Sequence, residues 1–153
     1  MSEYQPNVNL IEFLKDKDRI LEKLCEKVSE ITEEIDHIIE DMRATMHFFH
    51  GVAIAAPQVG KSLQIIVINA VVFSSEEDIV IINPEIEMLT SEKRMQMEFC
   101  LSFPEGGKYV SRFLECQIKS FDRKMVQNIV YASTPIKSRI LQHEYDHLQG
   151  KIF

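Results

Sequence analysis

The chain has 153 residues, 45% of them hydrophobic and 27% charged, with three cysteines and a formal net charge of −7. At that length a single globular domain buries roughly 68–70% of the surface its unfolded chain exposes, so a core forms without disulfide staples. No apolar run approaches the roughly 18 residues of a membrane span, the opening MSEYQPNVNL has neither a basic nor an apolar leader pattern, and the acidic balance argues against a nucleic-acid partner.

The acidity is concentrated in residues 1–50, which hold 12 acids and 6 bases. From Val28 the apolar residues Ile31, Ile35, Ile38, Met42, Met46 and Phe49 recur every three or four positions, which predicts one stripe on a helix. Thr32 is its expected N-cap, Glu33 and Glu34 suit the helix dipole, and Gly51 ends the pattern. The acidic residues therefore read as the solvated face of that helix. His37, His47 and His50 are expected on its surface. β-like runs follow at 63–69, 79–83, 86–89, 95–99, 114–121 and 129–131, with Pro104-Glu105-Gly106-Gly107 among the turn signals between them. Connections this short predict antiparallel pairing. A last helix opens at Thr134-Pro135 and stops at Gly150. The expected fold is α+β, as one domain over residues 1–153: an N-terminal helical region, antiparallel strands and a C-terminal helix.

That last helix contains His143-Glu144-Tyr145-Asp146-His147. Imidazoles at i and i+4 share a helix face and can reach one metal ion, with the intervening Glu free to act as a base. Such a motif arises by chance in roughly 2% of chains of this length and composition. The residues after His147, Leu148 to Phe153, include no usual metal ligand, so a third ligand is expected from upstream or from another chain. A thiolate suits a site that keeps one position open for water. Cys25 and Cys116 lie on apolar faces and read as core residues, and an odd cysteine count fits a reducing compartment. Cys100 differs, because it ends an alternating strand just before a Pro/Gly-rich stretch.

Three segments together resemble the signature motifs of the peptide deformylases, in order and at similar spacing. They are Gly51-Val52-Ala53-Ile54-Ala55-Ala56-Pro57-Gln58, Glu98-Phe99-Cys100-Leu101-Ser102, and Gln142-His143-Glu144-Tyr145-Asp146-His147-Leu148. The likeness extends from about Ile20 to the C-terminus. It implies metal-assisted removal of the N-formyl group from formyl-methionyl nascent peptides, releasing formate. Cys100, His143 and His147 would hold one divalent ion, Fe2+ as the native metal with Zn2+, Ni2+ or Co2+ as alternatives. Glu144 would be the general acid/base, and the Gln58 amide and Leu101 N–H would donate to the developing oxyanion. Gly51, Val52, Ala53, Phe99 and Arg112 would contact the peptide, bound largely through its main chain.

The resemblance also implies a ribosome-proximal enzyme without membrane or direct nucleic-acid attachment. Its expected location is a bacterial-type cytoplasm, with a phage or organellar origin left open. Ala53 and Phe99 stand where the family usually has glycine. Phe99 is expected to point to the core or to the rim of the cleft. A family member weakened in turnover, yet still binding metal and peptide, is the alternative reading. An endopeptidase is disfavoured by the Cys100 motif and the lack of a downstream ligand.

Overall fold

In the computed structural model, which describes residues 3–153, Thr32 caps the first helix as its place before an acidic turn requires. Its hydroxyl accepts the Ile35 N–H at 3.2 Å. Helix α1 (Glu33–Phe48) buries Ile38, Ile39, Met42 and Met46 and leaves Glu33 and Glu34 in solvent. Asp36 and Glu40 on its flank bind Arg123, so part of the acidic face is neutralised within the fold. At the other end of the chain Thr134 accepts the Lys137 N–H at 3.3 Å and opens α2 (Pro135–Leu148).

Between the helices the described residues form seven strands: β1 (Ala53–Ala55), β2 (Ile65–Ile68), β3 (Ile79–Met88), β4 (Lys93–Cys100), β5 (Phe103–Phe113), β6 (Cys116–Phe121) and β7 (Gln127–Ala132). An antiparallel sheet in the order β1-β2-β3-β6-β7 forms the centre, and β4 and β5 pair separately as an antiparallel ribbon. Strand alternation sends Ile66 and Ile68 into one core with Leu141 and Leu148 of α2. Ile65 and Val67 enter the other core, with Ile39, Met42 and Met46 of α1. The sheet is thus covered on both faces, which explains why β2 is an unbroken apolar run. Each such side chain, fully buried, stabilises the fold by roughly 1.5–3 kcal/mol. Cys25 and Cys116 sit in the core beside α2, as expected of small apolar residues.

Two expectations about strands need correction. The runs at 79–83 and 86–89 are a single strand, interrupted by a register shift between Ile82 and Glu85. Pro84 cannot donate to the ladder, and Asn83 takes φ 53 there. The Asn83 side chain accepts from the Val28 N–H and donates to the Val28 carbonyl, both at 2.8 Å, tying the bulge to the segment before α1. The second correction concerns Pro104 to Gly107, which lie inside β5 and not in a turn; the reversal occurs at Leu101 and Ser102. Gly107 serves close approach, since a Cβ there would stand 2.6 Å from the Glu98 carbonyl oxygen and 2.7 Å from the Met97 sulfur.

Candidate metal centre and active-site cavity

Strand β4 delivers Cys100 at its end, and α2 packs so that His143 and His147 face it. The two Nε2 atoms are 3.2 Å apart, Cys100 Sγ is 3.4 Å from His147 Nε2, and all three ligand atoms lie within 4.8 Å of one another. Tetrahedral coordination, with metal–N near 2.0–2.1 Å and metal–S near 2.3 Å, sets ligand atoms about 3.3–3.6 Å apart. The donor set therefore fits one ion. All three residues are buried.

The imidazoles are held differently. His143 Nδ1–H donates to Glu98 Oε1 at 2.9 Å, which turns Nε2 toward the sulfur. Burial opposes a charge on His143, but its bonds to Cys100 and Glu98 outweigh burial and hold its pKa up at about 10. His147 has no such anion. Burial, with His143 and Arg112 nearby, pushes its pKa far down, and its Nδ1 has no partner among the described residues. A neutral imidazole is the form that ligates, so His147 can bind as it stands, whereas His143 must first give up its Nε2 proton while Nδ1–H stays on Glu98.

Glu98 is the hub of this arrangement. Arg112 grips it with two guanidinium nitrogens at 2.9 and 3.0 Å, and Arg139 Nη1 adds a third contact at 2.6 Å. Burial would raise the Glu98 pKa, but the bonds from His143 and Arg112 prevail and bring it to about 2. Arg112 also binds Asp146 on α2, so strand β5 is fastened to the helix that carries the histidines. Arg112 was expected to contact the peptide. It is buried and does not line the cavity, because Glu98 and Asp146 draw its guanidinium inward.

Glu144 is buried beside the three ligands. Burial pushes its pKa up to about 7, and Oε2 has no hydrogen-bond partner among the described residues. Gln58 stands in a 3-10 turn (Ala56–Val59) after β1. Its Oε1 accepts the Ala55 N–H at 2.9 Å, which aims the amide NH2 at Ser102 Oγ (3.2 Å) and Cys100 Sγ (3.8 Å). Leu101 begins the turn after Cys100. A Cβ on Gly51 would stand 2.7 Å from Leu101 Cδ1, so the Leu101 side chain packs directly against Gly51 at α1's end.

A cavity of about 640 Å3 joins these groups. Cys100, His143, Glu144, Gln58 and Leu101 line it, and so do Gly51, Val52, Ala53 and Phe99. Phe99 is 75% exposed, as are its face-mates Met95 and Met97 in large part, so that face of β4 meets solvent and the ring stands at the rim, not in the core. His50, expected on the outer surface of the helix, lines the cavity from a left-handed position just past α1. Arg139 is a lining residue that the sequence reading missed, as was the role of Glu98. The one signal for Glu98 was that it shares its strand phase with Cys100, but the apolar phase of Met95, Met97 and Phe99 read as the inward one and hid it. Arg139 had none, since a lone arginine on an amphipathic helix reads as solvated.

The comparisons with known proteins agree with this geometry. Residues 10–153 match the sequence model for polypeptide deformylase. A peptide deformylase of Brachyspira hyodysenteriae is 38% identical over 140 residues, spanning 89% of this chain and 74% of that protein. Peptide deformylase 1 of Clostridium perfringens is 38% identical over 136 residues, spanning 89% and 90%. The crystal structure of peptide deformylase from Ehrlichia chaffeensis in complex with actinonin superposes with a TM-score of 0.85 at 30% identity, over 97% of this chain and 87% of that one. The chain belongs to the polypeptide deformylase family.

Proposed function

We propose that the peptide deformylase activity of this chain runs through one divalent ion held by Cys100, His143 and His147, within one catalytic domain over residues 1–153. As a peptide deformylase, the protein removes formyl groups from nascent peptides. The observation that carries the proposed chemistry is the convergence of three buried ligand atoms beside a buried carboxylate with a partnerless oxygen.

Held by Cys100, His143 and His147, the ion would supply Lewis-acid polarisation and would lower the pKa of a water toward neutrality. The chain's own residues do the rest. Glu144 takes the attacking water's proton on its partnerless oxygen and returns it to the leaving amine, help worth about 10²- to 10⁴-fold. The Gln58 amide and the Leu101 N–H donate to the oxygen on which negative charge develops. Burial around Glu144 and the ligands keeps bulk water from screening these interactions. Gly51, Val52, Ala53 and Phe99 border the peptide, and Arg112 acts through Glu98 to hold His143.

Fe2+ is the proposed native ion, and Zn2+, Ni2+ and Co2+ suit the same donors. The substrates are formyl-methionyl nascent chains, met near the ribosome in a bacterial-type cytoplasm. Among the described residues no helix is long and apolar enough to cross a membrane. Anaerobic purification, metal analysis and formate release from formyl-Met-Ala-Ser test this reading. One ion per chain and turnover are expected, with Glu144→Ala keeping the ion and losing turnover. Unchanged formate release in Glu144→Ala overturns the role of that carboxylate, and loss of Cys100 without loss of metal overturns the ligand set.

A further inference from the structure

We infer that Phe99 is a specificity-determining residue, selecting formylated peptides with an aromatic or large apolar side chain immediately after the methionine. The inference rests on the deformylase reading and names a substrate preference within it.

Phe99 directly precedes Cys100 and lines the same cavity as Cys100 and His143 while remaining 75% exposed. It is also held in place. Its Cε1 lies 2.9 Å from where a Cβ on Gly107 would stand, and the Met97 sulfur lies 2.7 Å from the same point. The ring and the thioether therefore occupy the space that a side chain at 107 would take, an aromatic seated on a cross-strand glycine. The register shift between Glu98 and Cys100 falls at this residue and sets the ring off the regular ladder.

Val52 (51% exposed), Phe49 (40%) and Met97 (41%) line the same cavity and are likewise solvent-accessible. A peptide whose formyl carbon sits among Cys100, His143 and Glu144 has its methionine inside the cavity, and the chain leaves past this apolar rim. The side chain following the methionine then meets Phe99. An aromatic or large aliphatic group there buries apolar surface against the ring, whereas a carboxylate loses hydration against that same apolar face. Burial of one apolar side chain in a partly open site corresponds to roughly tenfold selectivity.

The test compares formyl-Met-Phe-Ser, formyl-Met-Ala-Ser and formyl-Met-Asp-Ser by kcat/KM. The expected order is Phe, then Ala, then Asp, with about tenfold between the ends. Phe99→Ala brings the ratio within about twofold, and Phe99→Leu retains most of it. A wild-type ratio below twofold, or an undiminished ratio in Phe99→Ala, overturns the inference. No formate from any of the three peptides overturns the deformylase reading instead. Binding separates the two independently, because the chain contains no tryptophan. The product peptide Met-Trp-Ser, followed by its own fluorescence, is expected to bind Phe99→Ala about tenfold more weakly than wild type. Equal affinity overturns the inference whatever the turnover.

Discussion

The interior of the site and its mouth are built on opposite terms. Inside, Cys100, His143, Glu144, His147, Glu98 and Arg112 are all buried, and nearly every charge has a named partner. At the mouth, Phe49, Val52, Met97 and Phe99 are apolar and exposed. The difference follows from what each region must do. Reaction requires ligand atoms and a proton acceptor fixed to within a fraction of an ångström, which a buried hydrogen-bonded network provides. Recognition of many nascent chains requires a surface that rewards apolar contact without demanding one sequence. Ions are costly to bury unless paired, and Glu98 meets that condition by serving Arg112, Arg139 and His143 together.

Substitutions can break this comparison. Replacing Glu144 with Ala is expected to lower kcat by about 10²- to 10⁴-fold with the metal content unchanged, as read by formate release and metal analysis. Glu98→Gln takes from buried Arg112 one of its two carboxylates, leaving Asp146, and from half-buried Arg139 the carboxylate it binds, an expected loss of ~3 kcal/mol in urea unfolding. It also weakens metal binding by about 10- to 100-fold in a chelator competition, because His143 loses its orienting anion. Gln58→Ala is expected to reduce kcat by about 10²- to 10³-fold with little change in KM, the signature of a donor used mainly as charge develops.

The pH dependence sharpens the picture of the interior. Burial holds the Glu144 pKa up at about 7, and only its ionised form accepts a proton. On the acid side kcat/KM should therefore fall about tenfold per pH unit below that value. The smallest effect belongs to the exposed face of β4: Met95→Ser should change stability by less than ~0.5 kcal/mol, since that side chain is 64% exposed.

Local chemistry made much of the protein legible beforehand. Thr32 and Thr134 cap the helices because their side chains reach donors only three residues away. His143 and His147 share a face because the helical repeat requires it. Gly107 and Arg112 were misread for the same reason in reverse. A glycine looks alike in a turn and beneath a neighbouring strand, and an arginine's sequence context does not reveal a carboxylate 14 positions away.

By itself, then, the sequence determined the helix ends, the antiparallel class, the i, i+4 histidine pair and, through three motifs in order, the family. Only the tertiary structure decided that Cys100 Sγ lies 3.4 Å from His147 Nε2, that Glu98 gathers two arginines and a histidine, and that Phe99 stands on Gly107 at the mouth of the cavity. Caps and periodicities are set by backbone geometry over a few residues. These contacts join residues on different elements, and they exist only once β4, β5 and α2 have packed together.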